Sequence, residues 1–394
     1  MTHPSRHALA SARSQALDAV RHVLNGSVPH LVVPTSGSTG QSRRVALSGA
    51  ALRASADATV EWLGGPGRWL LALPVDHVAG LQVLARGLVS GLDPVMLDLS
   101  RGFRPEDFAA ATADLVERDE TTGTQAPRRY TSLVPTQLRR LLDHPMGRLA
   151  LATYDGVLVG GSASEPRLLE SARALGVKVV TTYGMSETAG GCVYDGVPFP
   201  DVEVAIDDDG RISLRGPVLA DGYLGPDGEI DPVATGERFG ADGWFRTSDA
   251  GAWQDGRLVI LGRLDDVIVT GGANVVPLVV EAALDAWLGA LGGGESCVVG
   301  VPDEEWGQRV VAVVRCATSA VRAAVTFSGA VDHFRTHAGA DLAREAVPRE
   351  ILVVDDLPLR GPGKFDRQAV AAHARAALAG RTDDAPTTTH LPAS

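Results

Sequence analysis

Short apolar runs alternate with helix-like segments over the first half of the chain. The runs RWLLALPV (68–75) and DGVLVGG (155–161) are almost continuously apolar and end near Pro or Gly, which is typical of buried strands. The segment after the second run predicts a helix, with Ser164 as its N-cap and Gly176 at its end. A third apolar run, VKVVTTYG (177–184), predicts another buried strand. The order strand, helix, strand indicates a parallel sheet.

The pattern changes near residue 200, where alternating apolar and polar residues replace the continuous runs. Asp209-Gly210 and Asp255-Gly256 each stand between two alternating segments, and an Asp-Gly pair in that position is a strong signal for a tight hairpin turn. Helix-like and strand-like segments resume after the GRLDD motif (262–266). We therefore predict an α/β fold, with a large N-terminal α/β domain whose distal part is β-rich and a small α+β C-terminal domain.

The domain boundaries follow from these changes of pattern. We place the N-terminal domain at 1–263 and the C-terminal domain at 264–380. We expect 381–394 to be a disordered tail, because it is rich in Pro and Thr and has little to bury. The length of 394 residues is enough for two or three domains.

Composition and charge exclude several classes of protein. Hydrophobic residues make up 45% and charged residues 21% of the chain, which is the balance of a soluble globular protein. The three cysteines lie far apart with no CxxC pair, which argues against a zinc site or a disulfide framework and suits a reducing cytoplasm. The formal net charge of −12 disfavours nucleic-acid binding. Neither a secretion signal nor an apolar run of membrane-spanning length is visible, so we expect no membrane insertion.

A run of hydroxyl residues and glycines, TSGSTGQSRR (35–44), lies between two apolar segments. Glycines let backbone N–H groups approach a ligand closely, and such a loop can wrap phosphate oxygens. The two arginines can add charge-assisted hydrogen bonds, whereas the Walker pattern GxxxxGK[ST] is absent. Taken alone, a loop of this composition is more often a flexible surface turn. Its candidate phosphate contacts are Thr35, Ser36, Gly37, Ser38, Thr39, Gly40, Arg43 and Arg44.

Two further stretches carry candidate chemistry. In TTYGMSETAGG (181–191), Tyr183 offers a flat face for a base and Glu187 offers a hard oxygen for Mg²⁺. Farther along, Asp249 can accept hydrogen bonds from both hydroxyls of a ribose, and Arg263 can reach the ribose or a phosphate. Taken alone, the first stretch is more often an ordinary strand-to-loop turn with a solvated Glu, and the second is charge on a solvated hairpin.

A lysine in a Gly/Pro-rich segment completes the set. Lys364 ends RGPGK (360–364), although most lysines are simply exposed. The four stretches occur together and in one order, and in this they resemble the adenylate-forming superfamily of acyl-CoA synthetases, luciferases and peptide-synthetase adenylation domains. The resemblance covers about residues 31–370, and its motifs are TSGSTGQSRRV, YGMSE, RTSD, GRLDD with GGANV, and GPGK.

The resemblance implies an ATP-dependent enzyme that uses Mg²⁺ and coenzyme A. Members of the superfamily join a carboxylate to the α-phosphorus of ATP, release pyrophosphate, and transfer the acyl group of the acyl-AMP to a thiol. Both reactants of the first step are anions, so the site must neutralise charge before they meet. The resemblance also implies that the small C-terminal domain is mobile and rotates between the two steps.

The resemblance further implies a role for individual residues at the matching positions. The phosphates of ATP would be held by Thr35, Ser36, Gly37, Ser38, Thr39, Gly40, Arg43 and Ser186. Adenine and ribose would be bound by Gly160, Gly161, Thr182, Tyr183, Gly184, Asp249 and Arg263. Glu187 would bind Mg²⁺ and take part in catalysis, and Lys364 would act in catalysis at the carboxylate and the α-phosphate. Asp265 would be the hinge, and Gly271 and Gly272 would face coenzyme A.

Two departures from the family pattern stand out. The phosphate loop of the family usually ends in Pro-Lys-Gly, whereas here it ends in Ser42-Arg43-Arg44, so a planar guanidinium replaces the lysine. Only about thirty residues precede the loop, and we expect a trimmed N-terminal subdomain. The acyl pocket or a dimer surface would then lack walls that relatives have, which leaves a homodimer as an open alternative.

Three stretches resemble the o-succinylbenzoate–CoA ligases of menaquinone synthesis, especially the short actinobacterial type: LPVDHVAGLQVLARGLVSG (73–91), RYTSLVPTQLRRLL (129–142) and TYGMSETAGGCVYDGVPF (182–199). That substrate has an aromatic ring, a ketone and two carboxylates. Its pocket needs flat apolar walls and a donor for the carboxylate that is not activated. The resemblance makes His77 the gate of the pocket and a catalytic residue. The candidate pocket residues are His77, Arg86, Thr131, Ser132, Gly190 and Gly191.

Two alternatives remain open at this stage. A ligase for another aryl acid or a fatty acid would carry the same nucleotide motifs, although few large apolar residues cluster near His77. A non-catalytic nucleotide-binding protein on this fold would be expected to lose Lys364 or Glu187, and both are present.

Overall fold

The structure is a computed structural model that describes residues 6–35, 42–121, 126–360 and 364–380. The helices in these ranges are α1 (Arg6–Leu24), α2 (Gly49–Trp62), α3 (Val78–Val89), α4 (Pro105–Thr121), α5 (Pro135–Asp143), α6 (Pro145–Leu151), α7 (Pro166–Ala174), α8 (Pro232–Gly236), α9 (Pro277–Leu291), α10 (Ser319–Val325), α11 (Ala330–His337) and α12 (Arg367–Ala379). The strands are β1 (His30–Pro34), β2 (Arg44–Ser48), β3 (Gly67–Leu71), β4 (Val95–Met96), β5 (Arg128–Leu133), β6 (Gly156–Val159), β7 (Val179–Met185), β8 (Gly190–Tyr194), β9 (Val197–Pro198), β10 (Glu203–Ile206), β11 (Arg211–Arg215), β12 (Gly222–Leu224), β13 (Phe245–Gln254), β14 (Arg257–Arg263), β15 (Ile268–Thr270), β16 (Ala273–Val275), β17 (Gly294–Asp303), β18 (Gly307–Cys316) and β19 (Glu350–Val354).

The chain divides into two compact units. The first takes in the residues up to Asp207 together with Ile212–Thr247 and Trp253–Val259. The second takes in Asp208–Arg211, Ser248–Ala252 and the residues from Ile260 onward. The boundary between residues 263 and 264 stays a prediction, and the predicted tail at 381–394 lies outside the described residues.

A seven-stranded sheet with the order β4-β3-β5-β6-β7-β8-β9 forms the centre of the first unit. The pairs from β4 to β7 are parallel, as the sequence pattern predicts, and β8 and β9 add antiparallel strands at one edge. Leu70 and Val157 belong to a core that includes Phe108 of α4 and Leu138 of α5. Trp69, the neighbour of Leu70 in β3, points to the opposite face because side chains alternate along a strand.

The helix predicted after residue 161 is α7, and its start differs by one residue from the prediction. Glu165, not Ser164, is the N-cap. The reason is Pro166, which takes the first helical position and whose ring disfavours helical geometry in the residue before it. The helix ends as predicted at Gly176, whose φ of +79° is the left-handed conformation that terminates helices.

The predicted strands are present but have different bounds. β3 and β6 are shorter than the apolar runs 68–75 and 155–161. β7 begins two residues later than the run 177–184, and only Val179 in it is buried, so the prediction of a fully buried strand is wrong there. The half-buried residues of β7 lie toward the carboxyl end of the parallel sheet, which is where ligands bind in α/β folds.

Both predicted hairpin turns are confirmed. β10 and β11 are antiparallel neighbours on either side of the turn that contains Asp209-Gly210. β13 and β14 are neighbours in the same four-stranded sheet, and the two residues that join them have positive φ, +49° for Asp255 and +73° for Gly256. Two positive φ values define the type I′ turn, which matches the twist of the flanking strands.

The second unit contains a three-stranded sheet, β17-β18-β19, and the two-stranded β15-β16 hairpin. Successive residues of the larger sheet alternate between two cores. Val298 and Ala312 belong to a core with α9 and α11, while Cys297 and Val313 belong to a core with α12. Helices therefore cover both faces of this sheet.

The predicted fold class is confirmed, with a large α/β part and a smaller C-terminal part that combines helices and sheet. None of the helices in the described ranges has the length and apolar character that crossing a bilayer requires.

Candidate active site

The predicted site residues of the first unit gather where its parallel strands end. Gly160 and Gly161 follow β6 directly, Thr182 and Tyr183 lie in β7, and Ser186 follows β7 in a single 3-10 turn. Because β6 and β7 are parallel neighbours, their carboxyl ends meet at one edge of the sheet. The structure thus brings together two motifs that lie more than twenty residues apart in the sequence.

Two of the predicted glycines are required by close backbone packing at this edge. A Cβ atom on Gly160 would stand 2.2 Å from Thr182 Oγ1, and a Cβ atom on Gly184 would stand 2.0 Å from the carbonyl oxygen of Gly190. Both distances are far below van der Waals contact, so any side chain would push β7 away from its neighbours. These two positions therefore admit only glycine, because the space that a Cβ atom would take is filled by residues of β7 and β8.

Glu187 lies in the turn after β7 and is held by a tyrosine from β12. The Tyr223 hydroxyl donates to Glu187 Oε1 at 2.9 Å. Burial raises the pKa of Glu187, against the hydrogen bond from Tyr223 and the positive charges of Arg238 and Arg43. A cation at this carboxylate would favour its ionised form, so the position suits a metal ligand.

The base of the predicted phosphate loop is closed by hydrogen bonds. The N–H of Thr35 donates to the Arg43 carbonyl at 2.8 Å, and the N–H of Arg43 donates to Thr35 Oγ1 at 3.0 Å. Ser42 Oγ donates to the Thr35 carbonyl at 2.7 Å. The hydroxyl of Thr35 therefore takes part in closing the loop. The other predicted loop contacts lie outside the described residues: Ser36, Gly37, Ser38, Thr39 and Gly40.

Arg43 is fixed by two residues that are distant in the sequence. Its Nη2 donates to Glu237 Oε2 at 2.7 Å, and its guanidinium carbon lies 4.8 Å from the centre of the Tyr223 ring. The same tyrosine holds Glu187, so one side chain connects the exit of the phosphate loop with the carboxylate after β7. Arg44 takes a different path, because its Nη1 donates to the Gly225 carbonyl at 3.1 Å.

The acid-pocket candidates lie at the start of α3 and within it, in β5, and in β8, where Gly190 and Gly191 are the first two residues. His77 precedes α3 as its N-cap, and its side chain is 38% exposed, with Nε2 3.8 Å from Asp76 Oδ1. Thr131 is fully buried and donates from Oγ1 to the Leu70 carbonyl at 3.0 Å. Since Thr131 and Ser132 are consecutive in β5, they face opposite sides of the sheet. The structure therefore does not bring Thr131 together with Ser132.

Arg86, nine residues after His77 in α3, is a buried cation. Its side chain is 3% exposed, with the guanidinium carbon 5.2 Å from the Trp69 ring centre. Nη2 donates to Tyr194 Oη at 3.1 Å, and Nη1 lies 3.5 Å from Ser132 Oγ. No carboxylate of the described residues forms an ion pair with Arg86, and its Nε lacks a hydrogen-bond partner among them. Burial lowers its pKa, yet arginine remains protonated.

The neighbour of Arg86 does not compensate the charge. Burial raises the pKa of Tyr194 even with Arg86 beside it, so the phenol stays neutral. A buried charge without a counter-ion costs several kcal/mol, because the cation has lost its water. A carboxylate brought next to Arg86 would therefore be stabilised by its charge.

The second unit contains the other predicted residues. Arg263 Nη1 lies 3.4 Å from Asp249 Oδ1, and Arg263 Nη2 lies 2.9 Å from Asp265 Oδ2, so the predicted ribose residues and the predicted hinge form one cluster. Gly271 and Gly272 form the turn between β15 and β16 with φ values of +57° and +82°.

Lys364 is exposed, and its backbone carbonyl accepts from the Arg360 N–H at 2.8 Å. Three residues later, Arg367 forms a bidentate ion pair with Glu281, at 2.5 and 2.7 Å, and its Nε lies 3.2 Å from Asp266 Oδ2. The chain just after Lys364 is therefore anchored to α9 and to the residue that follows the predicted hinge.

Comparison with known proteins agrees with this geometry. The family model described as AMP-binding enzyme matches residues 6–224, and that described as AMP-binding enzyme C-terminal domain matches 292–364. A protein of Mycobacterium tuberculosis named "Probable 2-succinylbenzoate--CoA ligase" is 43% identical over 86% of this chain and 83% of its own length. The chain belongs to the AMP-binding enzyme family.

Two further relatives of this AMP-binding enzyme differ in their named substrates. The medium/long-chain-fatty-acid–CoA ligase FadD8 of Mycobacterium tuberculosis is 32% identical, over 86% of this chain and 60% of its own. The o-succinylbenzoate CoA synthetase (MenE) of Bacillus subtilis, solved with the acyl-adenylate OSB-AMP, has a TM-score of 0.67 and 26% identity over 86% of this chain and 68% of its own. The same enzyme solved with ATP and magnesium has a TM-score of 0.67 and 25% identity over the same shares.

The residues present in this AMP-binding enzyme fit Mg²⁺ carried by ATP rather than a metal caged by protein. The described residues contain no group of three or more His, Cys, Asp or Glu side chains that would hold a metal ion. Mg²⁺ usually takes one or two protein carboxylates and completes its shell with phosphate oxygens and water. Glu187, beside the phosphate loop exit at Arg43, provides such a carboxylate.

Sequence reasoning missed four residues that organise the sites of this AMP-binding enzyme. Tyr223 and Glu237 hold Arg43, Tyr194 holds Arg86, and Arg367 anchors the segment after Lys364. Only Arg367 had a usable signal, since it follows the lysine motif directly. Tyr194 lies in the stretch 182–199 that carries the resemblance, but nothing in that stretch indicates its partner, and Tyr223 and Glu237 lie in stretches with no chemical pattern of their own.

Proposed function

We propose that this AMP-binding enzyme is an ATP-dependent o-succinylbenzoate–CoA ligase of menaquinone synthesis. In the first step a carboxylate of the acid attacks the α-phosphorus of ATP, forming acyl-AMP and releasing pyrophosphate. In the second step the thiol of coenzyme A attacks the acyl carbon, forming o-succinylbenzoyl-CoA and releasing AMP. The proposal places the reaction in the cytoplasm, where ATP and coenzyme A are available.

One observation carries the choice of acid. Arg86 is a buried cation with only neutral partners among the described residues, Tyr194 and Ser132. o-Succinylbenzoate has two carboxylates, so one can be activated while the other pairs with Arg86. A fatty acid has one carboxylate, and its chain would leave Arg86 buried without a counter-ion. The similarity to FadD8 points to an alternative function, that of a fatty-acid ligase. This alternative is therefore the weaker of the two.

The roles proposed for the remaining residues are those that the family resemblance implies. Mg²⁺ bound to Glu187 and the phosphates would neutralise negative charge as the two anions approach. Tyr183, between the glycines after β6 and the turn after β7, would border adenine, and Ser186 would contact the α-phosphate.

In the second unit, Asp249 and Arg263 would bind the ribose, and the 3.4 Å contact between Arg263 Nη1 and Asp249 Oδ1 orients the carboxylate. Lys364 would contact the acid carboxylate and the α-phosphate. His77 would gate the acid pocket from the start of α3, and Gly271 with Gly272 would face coenzyme A.

The acid assignment is tested by pyrophosphate release across a panel of acids, with and without coenzyme A. The panel contains o-succinylbenzoate, benzoate, octanoate and two matched analogues that each lack one carboxylate, 4-oxo-4-phenylbutanoate and 2-butyrylbenzoate. We expect o-succinylbenzoate to give the highest kcat/KM and a thioester only when coenzyme A is present. The analogue that is still activated shows which carboxylate reacts. A rate with o-succinylbenzoate no higher than with benzoate or octanoate would refute the assignment.

The guanidinium of Arg43 is expected to matter for ATP binding. An ammonium cannot bond Glu237 and lie flat on the Tyr223 ring at the same time, so Arg43→Lys should loosen the loop exit. We expect the KM for ATP to rise about 5- to 10-fold, which corresponds to about 1–1.4 kcal/mol, with a smaller change in kcat. Arg44→Lys is the control, because among the described residues the Arg44 side chain makes one hydrogen bond, to the Gly225 carbonyl. Equal KM and kcat values for ATP in the two variants would show that the planar guanidinium of Arg43 is not needed for ATP binding.

A further inference from the structure

The guanidinium of Arg86 is held by a chain of hydroxyl groups with a fixed direction. Thr59 Oγ1 donates to the Ser55 carbonyl one turn earlier in α2, at 2.8 Å. Its single hydrogen is thereby used, so Thr59 Oγ1 accepts from the Tyr194 hydroxyl, 2.9 Å away. The lone pairs of Tyr194 Oη are left to accept from Arg86 Nη2 at 3.1 Å. Arg86, Tyr194 and Thr59 are all buried, so water does not compete for these bonds.

The ring of Tyr194 and its hydroxyl have separable roles. The ring packs against Phe199 and Trp62, with ring centres 4.7 and 5.8 Å away. Phenylalanine would make the same ring contacts, so packing alone gives no reason for a tyrosine at this position. Only the hydroxyl connects Arg86 to Thr59.

The need to leave the charge of Arg86 available explains why the groups of this hydrogen-bond chain are neutral. An Asp or Glu in place of Tyr194 would hold Arg86 equally well, but it would neutralise the charge and compete with an incoming carboxylate. An apolar residue would preserve the charge but would leave a guanidinium N–H without an acceptor and free to turn. A hydroxyl fixes the direction of the cation and leaves its charge for the ligand.

We propose that Tyr194, supported by Thr59, is a positioning residue that sets specificity for acids with a second carboxylate. The inference rests on the proposed function, in which Arg86 pairs with the carboxylate that is not activated. Tyr194 would orient Arg86 for that pairing. Tyr194 acts through Arg86 and need not touch the substrate. Removal of the Tyr194 hydroxyl should therefore lower kcat/KM for dicarboxylates more than for acids with one carboxylate.

The test compares two acids within each variant. The readout is the ratio of kcat/KM for o-succinylbenzoate to kcat/KM for the one-carboxylate analogue that the wild type activates, with ATP and coenzyme A saturating. A general folding defect lowers both terms and leaves the ratio unchanged. We expect Tyr194→Phe to lower the ratio about 10- to 100-fold, the range for losing a hydrogen bond to a charged group.

The chain offers a matched control in the same unit. Tyr154 is also buried, and its hydroxyl lies 2.8 Å from Thr112 Oγ1, which donates to the carbonyl of Phe108 one turn earlier. Tyr154→Phe thus removes the same kind of tyrosine–threonine–carbonyl chain away from Arg86. We expect its ratio to equal that of the wild type.

A second pair of variants keeps the test decisive if Tyr194→Phe fails to fold. Thr59→Val removes the acceptor of the Tyr194 hydroxyl and should lower the ratio, while Thr59→Ser keeps a hydroxyl and should restore it. A wild type with no preference for o-succinylbenzoate over the analogue overturns the proposed function itself. If the wild type prefers o-succinylbenzoate and both Tyr194→Phe and Thr59→Val keep the wild-type ratio, this inference alone is overturned.

Discussion

Replacing Lys364 by alanine is expected to slow acyl-adenylate formation by about 10²–10³-fold, the usual effect of removing one preorganised charge from a site of developing negative charge. The carboxylate and the α-phosphate repel each other as they approach, and an ammonium between them lowers that repulsion. The second step involves a neutral acyl carbon and a thiol, so it should not need this charge. We therefore expect Lys364→Ala to form thioester from supplied acyl-AMP at close to the wild-type rate.

The lysine content of the chain provides a direct control for the Lys364 experiment. Its 394 residues include only two lysines, Lys178 and Lys364. Lys178 is an exposed residue 3.1 Å from Asp155, and such surface pairs contribute at most about 1 kcal/mol. Lys178→Ala is thus the matched control and should leave both steps unchanged. Pyrophosphate release measures the first step, and thioester formation from acyl-AMP and coenzyme A measures the second. Equal loss of both steps in Lys364→Ala would contradict the assigned role.

The second large effect is expected at Arg86. We expect Arg86→Met to lower kcat/KM for o-succinylbenzoate by about 10²–10³-fold, because a carboxylate that enters the pocket would be buried without its partner. The one-carboxylate analogue should be activated at close to the wild-type rate. The thermal midpoint of the ligand-free variant should be no lower than that of the wild type, since the substitution removes a buried charge that has no counter-ion among the described residues.

Arg68 provides the contrast for Arg86. It lies in β3 and donates from Nε to Asp119 Oδ1 at 2.8 Å, and Asp119 is fully buried. Arg68→Met would weaken the pairing of a buried carboxylate, so it should lower the thermal midpoint and leave acid selectivity unchanged. Thermal unfolding and the acid panel, measured on both variants, separate the two cases. A lower midpoint for Arg86→Met with unchanged selectivity would make Arg86 a structural residue.

The fold was largely predictable because its signals are local. Continuous apolar runs separated by a helix of suitable length predicted the parallel pairing of β6 and β7. Two Asp-Gly pairs predicted two hairpins, since these residues tolerate the positive φ that tight turns need, at Gly210 in one turn and at both Asp255 and Gly256 in the other. The errors concern boundaries. The start of α7 moved from Ser164 to Glu165 because Pro166 constrains its neighbour, a local effect that a capping preference alone does not include.

By itself the sequence determined the family and the reaction class, and it predicted the residues that carry the chemistry, because the matching motifs are short and occur in a fixed order. Only the tertiary structure decided how the charges are held. Glu237 lies 194 residues from Arg43, and Tyr194 lies 108 residues from Arg86. Hydrogen bonds act over about 3 Å, so their partners are fixed by how strands and helices pack and not by distance along the chain. That Arg86 has no counter-ion among the described residues became visible only once the packing around α3 was known.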